Sequence, residues 1–171
     1  VFKVKLFGPF YIKYPFDMYF SKHGPSLKDS NKAYALRYVG MNDVNHSTAW
    51  LQLNKASNLT EWKDALKMQQ IASLNLIYAD KDDNIFFVHN VKSPIRNKNF
   101  DWKEVVPGND SSLIWNEYYS FEQIPQILNP QSGYLFSTNQ NPFYVTTLDQ
   151  NLYIDNFPET MGFQTRTTNR A

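Results

Sequence analysis

The sequence predicts an α+β domain built around a sheet core. Three observations carry that expectation. Aromatic residues make up 16% of the chain, with eleven Tyr and thirteen Phe, and these side chains suit pleated, half-buried surfaces. Short apolar or alternating runs, such as Val1 to Leu6 and Ile85 to His89, are bounded by Gly, Pro, Asp and Asn. Between these runs lies one stretch, 46–66, with apolar residues at helical spacing. At 171 residues the chain can bury a real core. No repeat, low-complexity segment or shift in composition marks a boundary, so 1–171 reads as one piece of a single domain.

In chain order, residues 1–7 alternate apolar and Lys and predict a half-buried strand, broken by Gly8-Pro9. Asp17 to Ser21 reads as extended, His23-Gly24-Pro25 as a turn, and Ala33 to Val39 as a further strand. His46 to Ala56 places Ala49, Leu53 and Ala56 on one helical face. Asn58-Leu59-Thr60-Glu61 has the form of a capping box opening a second helix, with Trp62, Ala65 and Leu66 on its apolar side. Residues 75–79 and 84–89 read as a hairpin closed by Asp80 to Asp83, and their near-continuous apolar character predicts cover on both faces. Ser120 to Gln123 predicts a short capped helix halted by Pro125, and Gly133 to Ser137 a last strand.

Several function classes start with little support. The net charge is +1, with Lys and Arg scattered, so no field draws nucleic acid or anionic lipid. Without cysteine there are no disulfides, thiolate nucleophiles or zinc–thiolate sites. No apolar run nears the roughly 20 residues of a membrane-spanning helix. Asp80 to Asn84 resembles the opening of a calcium loop, but Ile85 stands where Gly is needed and Val91 where the bidentate Glu should be, so it reads as a turn. His23, His46 and His89 lack ligand neighbours at metal-binding spacing. No nucleophile elbow or phosphate loop occurs.

An ordered series of motifs runs from Tyr19 to Pro142. YFSKHGP (19–25) is similar to a strand ending in His-Gly-Pro. NKASNLTEWKDAL (54–66) is similar to a helix pair written N-x-A-x-N-W-x-E-F/W. SLNLIYADKDDNIFFVHN (73–90) is similar to a hairpin written N-x-x-Y-A-D-x-x-G-N-I-G-Y. SPIRNKN (93–99), VPG (106–108) and FEQIPQILNPQSGYLFSTNQNP (121–142) follow, and Phe163 to Arg170 looks like the start of a Y-R-A-R-R-I segment. In this order the motifs resemble the penicillin acylase family of N-terminal-nucleophile hydrolases, which includes penicillin, cephalosporin and acyl-homoserine-lactone acylases.

The resemblance implies an αββα fold of antiparallel sheets with covering helices, of which this chain is an internal stretch of the β-chain. It implies hydrolysis of a linear acyl amide by an N-terminal serine whose own α-amino group serves as base. That serine, freed by autoproteolysis, is expected upstream, since Val1 is no substitute, and this stretch alone is expected to be inactive. Asn75, just before the L-I-Y-A-D strand, is implied as the side-chain donor of the oxyanion hole. Arg96 matches an arginine near the active site. Asn139 matches the first residue of an Asn-Asn pair that organises loops, while His23, Tyr78 and Trp50 read as structural. The implied partners are the α-chain and the rest of the β-chain, and the implied compartment is the bacterial periplasm or outside the cell. No cofactor is implied; structural calcium occurs in some members, but no ligand set maps here. Departures from the pattern at Asp83, Phe86, Val105-Val106 and Gln140 mark a distant member and leave open an inactive homologue.

Overall fold

The computed structural model describes residues 2–14, 17–89 and 91–163; most of the C-terminal segment that resembles Y-R-A-R-R-I lies outside the described residues. The chain forms two compact units, 1–38 and 39–171, a division that composition does not signal.

The first unit is all antiparallel sheet. Strand β1 (Phe2–Phe7) pairs with β2 (Phe10–Tyr14) across Gly8, whose φ of 51° is left-handed and free of steric cost without a Cβ. Strands β3 (Tyr19–Ser21), β4 (Gly24–Asp29) and β5 (Lys32–Ala35) form a meander. The expected turn at 23–25 is shifted: Lys22 and His23 turn, while Gly24 and Pro25 already belong to β4. The expected half-burial of the first strand is not found. Val4 and Leu6 are 54% and 56% exposed, and the intervening lysines are exposed too. A two-stranded ribbon buries an apolar face only when another layer packs on it.

The second unit holds the helices and a three-stranded antiparallel sheet. Helix α1 (His46–Lys55) and α2 (Leu59–Lys67) fall where the apolar spacing places them. Asn58 caps α2, its Oδ1 accepting from the Glu61 N–H at 3.0 Å, and Glu61 reaches back to the N–H of Ser57 at 2.8 Å. Thus one donor of the first turn, the Glu61 N–H, is satisfied, together with the Ser57 N–H just before the cap. Strands β6 (Asn75–Ala79), β7 (Ile85–His89) and β8 (Gln126–Leu128) lie in the order β6-β7-β8. The β6–β7 turn is built on Asp80, whose Oδ1 accepts the N–H groups of Asp82 and Asn84 at 2.9 and 3.0 Å, with Asp83 left-handed at φ 61°.

The sheet separates two apolar clusters. On one face Phe86 and Val88 pack with Leu53, Trp62, Leu66, Ile71, Phe121 and Ile124, joined by half-buried Leu76 and Tyr78. On the other face Phe87 packs with Ile127 and Val145. Alternation along β7 sends successive side chains to opposite clusters, so this central strand is covered on both sides. Strand β6 is not: Ile77 is 44% exposed, so the cover on this face does not extend over the middle of β6. The expected strand at 133–137 is absent as well. Gly133 is left-handed and its N–H bonds Pro130 C=O in a turn, while Phe136 N–H bonds Val145 C=O; these contacts and side chains, rather than a ladder, tie the segment. Strand β8, squeezed between Pro125 and Pro130, is too short to announce itself by periodicity.

Candidate functional site

Asn75 opens β6 directly opposite His89, the last residue of β7. The hairpin turn forces this register, and opposed side chains on one face of an antiparallel pair lie within contact. Asn75 Oδ1 lies 2.5 Å from His89 Nδ1. Its Nδ2 donates to the Gln140 backbone oxygen at 2.9 Å and to Ser137 Oγ at 3.1 Å. The half-buried carboxamide is therefore held at both ends, on a strand rather than a mobile loop. Burial lowers the His89 pKa from 6.5 to about 4, so the imidazole is neutral at pH 7.

The loop that meets Asn75 is organised by Gln140, which is 2% exposed. Gln140 Oε1 accepts from the Thr138 N–H and hydroxyl, and Nε2 donates to the carbonyls of Phe136 and Tyr144 at 3.3 and 2.8 Å. All of its side-chain capacity is spent on closing this loop, as burial of a primary amide demands. Asn139, expected to organise the loop, is exposed and left-handed at φ 67°; its N–H donates to Ser137 Oγ at 3.3 Å. That task falls to its neighbour Gln140.

Arg96 follows an irregular pairing in which the Ile95 N–H bonds Glu117 C=O at 3.0 Å. Its guanidinium lies over the rings of Trp102 and Trp115, 5.7 and 5.1 Å from their centroids, and Nη1 donates to Thr160 C=O at 3.4 Å. Arg96 Nε is buried with no hydrogen-bond partner among the described residues, and burial lowers the guanidinium pKa. Arg96, Lys98, Trp102, Gly162 and Phe163 line a cavity of about 460 Å³. No hydrogen bond joins Arg96 to Asn75 among the described residues. The two are linked through rings, since Phe163 in the cavity wall packs against His89, tilted by 41° with centroids 5.8 Å apart.

Tyr78, Trp50 and Asp80 make their contacts away from Asn75. Tyr78 packs on Trp62 at 5.2 Å and donates to Asp80 at 2.9 Å, and its own hydroxyl pKa rises to about 12, first through burial. Trp50 donates to His46 Nε2 at 3.0 Å, and His46 Nδ1 meets Gln70 C=O at 2.9 Å. Asp80 spends its carboxylate on the turn and on Tyr78 and Asn84. No group of three or more His, Asp or Glu able to hold a metal ion occurs among the described residues.

Sequence reading missed Ser137 and Gln140, whose link to Asn75 spans more than sixty positions and leaves no local signal. His89 was legible in principle, because a hairpin closed at Asp80 to Asn84 must set residue 75 opposite residue 89.

The family model for penicillin amidase matches residues 2–171. The chain belongs to the penicillin amidase family. Penicillin G acylase of Escherichia coli is 36% identical over 94 residues, which cover 55% of this chain and 11% of that protein. Among solved structures, a thermostable penicillin G acylase from Alcaligenes faecalis superposes with a TM-score of 0.69 at 28% identity, over 89% of this chain and 28% of that one. The chain thus spans a minor part of the length of either relative. The antiparallel sheets and two covering helices are those of an N-terminal-nucleophile hydrolase, as the motif order implied.

Proposed function

We propose that the full-length chain is an amidohydrolase that cleaves a linear bond between an acyl group and an amine, with Asn75 as a side-chain donor to the oxyanion. The nucleophile is a serine outside residues 1–171, freed at a new N-terminus by autoprocessing. Its Oγ attacks the amide carbonyl while its proton passes to the α-amino group. The C–N bond then breaks, the amine leaves with that proton, and water releases the acid from the acyl-enzyme. The observation that carries this reading is the tethering of Asn75. A carboxamide held at the start of a strand by His89 on its oxygen and by the Gln140 carbonyl on one amide hydrogen keeps its orientation when charge develops, which is the property an oxyanion donor requires. Arg96, a cation in the wall of a 460 Å³ cavity that shares Phe163 with His89, is read as a residue that positions substrate. The α-chain and the rest of the β-chain complete the site, and the compartment is the periplasm or the exterior.

One observation favours a rival, an inactive scaffold. Both amide hydrogens of Asn75 already have acceptors within the chain. In the hydrolase reading the oxyanion displaces the Ser137 hydroxyl, which can rotate away, whereas the Gln140 carbonyl stays. The test is release of free amine by the full-length chain from phenylacetyl, glutaryl and long-chain acyl amides. Turnover of one class supports the hydrolase; no turnover, with no autoprocessing, leaves the scaffold.

A further inference from the structure

We propose that His89 is a positioning residue: through Nδ1–H it holds Asn75 Oδ1 and so dictates which way the Asn75 amide hydrogens point. The proposal rests on the reading of Asn75 as an oxyanion donor and adds a residue to that machinery.

The orientation of an Asn amide is fixed by partners that can act in only one sense. The Gln140 backbone oxygen, 2.9 Å from the Asn75 carboxamide, can only accept, so the NH₂ end must face it. Oδ1 then faces His89 Nδ1 at 2.5 Å. A carbonyl oxygen likewise only accepts, so Nδ1 must carry a proton. Since burial keeps the ring neutral, Nε2 is the unprotonated nitrogen and the single ring proton is committed to Asn75.

The ring is well placed for this task. The His89 N–H bonds Pro125 C=O at 2.9 Å, β7 is buried on both sides, and the imidazole packs against the tilted ring of Phe163. Two consequences follow for the amide. Donation to Oδ1 stops the side chain swinging off the strand, and it polarises the amide so that each N–H becomes a better donor. The hydrogen on Gln140 is pinned by a loop that Gln140 itself closes, leaving the hydrogen on Ser137 Oγ as the one offered to an oxyanion.

Two substitutions in the full-length chain separate this role from simple packing. His89→Phe keeps an aromatic ring against Phe163 and removes the donor. His89→Asn loses the ring but places an amide Nδ2 where Nδ1 stood. With the best acyl amide as substrate, His89→Phe should lower kcat on the order of tenfold with KM changed less than about twofold, and His89→Asn should recover most of that loss. Equal losses in both variants, tracking their stability, would overturn the proposal in favour of a structural ring. So would wild-type kcat in His89→Phe while Asn75→Ala is strongly impaired, a result that spares the oxyanion reading. Wild-type kcat in Asn75→Ala would instead remove that reading, and this inference with it. Independently of activity and of variant folding, the ¹⁵N shifts of His89 in the wild type should show the proton on Nδ1; a bare Nδ1 refutes the assignment.

Discussion

Acidification should loosen the β6–β7 hairpin through His89 before it affects most carboxylates. Burial lowers the His89 pKa from 6.5 to about 4, so between these values the unfolded hairpin binds a proton that the folded one refuses. The sign follows directly: stability is fully present above pH 6.5 and is lost as pH falls toward 4. With 1.36 kcal/mol per pKa unit, the loss is about 2 kcal/mol at pH 5 and about 3 kcal/mol at pH 4. Hydrogen exchange of the amides in 75–79 and 85–89 reports local opening and can be corrected for intrinsic pH dependence. His89→Phe cannot take up the proton, so its opening free energy should change far less between pH 7 and pH 5 than that of the wild type. Carboxylates such as Asp80 contribute equally to both proteins and cancel in the comparison. Burial pushes the Asp80 carboxyl up, but hydrogen bonds from Asn84, Tyr78 and Asp82 outweigh it and hold the group below its usual range. Parallel pH slopes in wild type and His89→Phe would refute the claim that a neutral, buried imidazole is part of the hairpin.

Other perturbations follow from the same geometry. Asn58→Ala removes the cap of α2 and should cost about 1 kcal/mol, read as faster exchange in the first turn of that helix. Phe87→Ala, at a side chain with no exposure between β8 and Val145, should cost about 3–5 kcal/mol in urea unfolding. Gly162→Ala would put a Cβ 2.6 Å from Arg96 Nη1 at a φ of +78°. The left-handed strain should cost about 1–2 kcal/mol, and the displaced guanidinium should alter Trp102 and Trp115 fluorescence.

Local chemistry made much of this unit legible. The helices follow from the spacing of Ala49, Leu53, Trp62 and Leu66, and the cap from Asn58 and Glu61. The hairpin follows from Asp80 and the left-handed tolerance of Asp83. What could not be read depends on neighbours far along the chain. Alternation in β1 specifies a strand but not the layer that would cover it, and Val4 and Leu6 remain exposed. The apolar run of β6 looks like that of β7, yet only β7 is central in the sheet. Gln140, met in the sequence as a departure from an Asn-Asn pattern, turns out to close the loop that holds Asn75, because its longer amide reaches two carbonyls at once. Asn75 and Arg96 entered through motif order alone. Their surroundings differ in kind: a tethered carboxamide in one case, and a guanidinium over two indoles in the other.

The most direct test of the account is the turnover of Asn75→Ala in the full-length chain, measured beside the wild type on a cleaved acyl amide, with autoprocessing and folding verified in both. Loss of one oxyanion donor should lower kcat on the order of a hundred- to a thousandfold while KM stays near that of the wild type. A folded, processed Asn75→Ala that turns over at the wild-type rate would contradict the account and leave Asn75 as a strand-end tether.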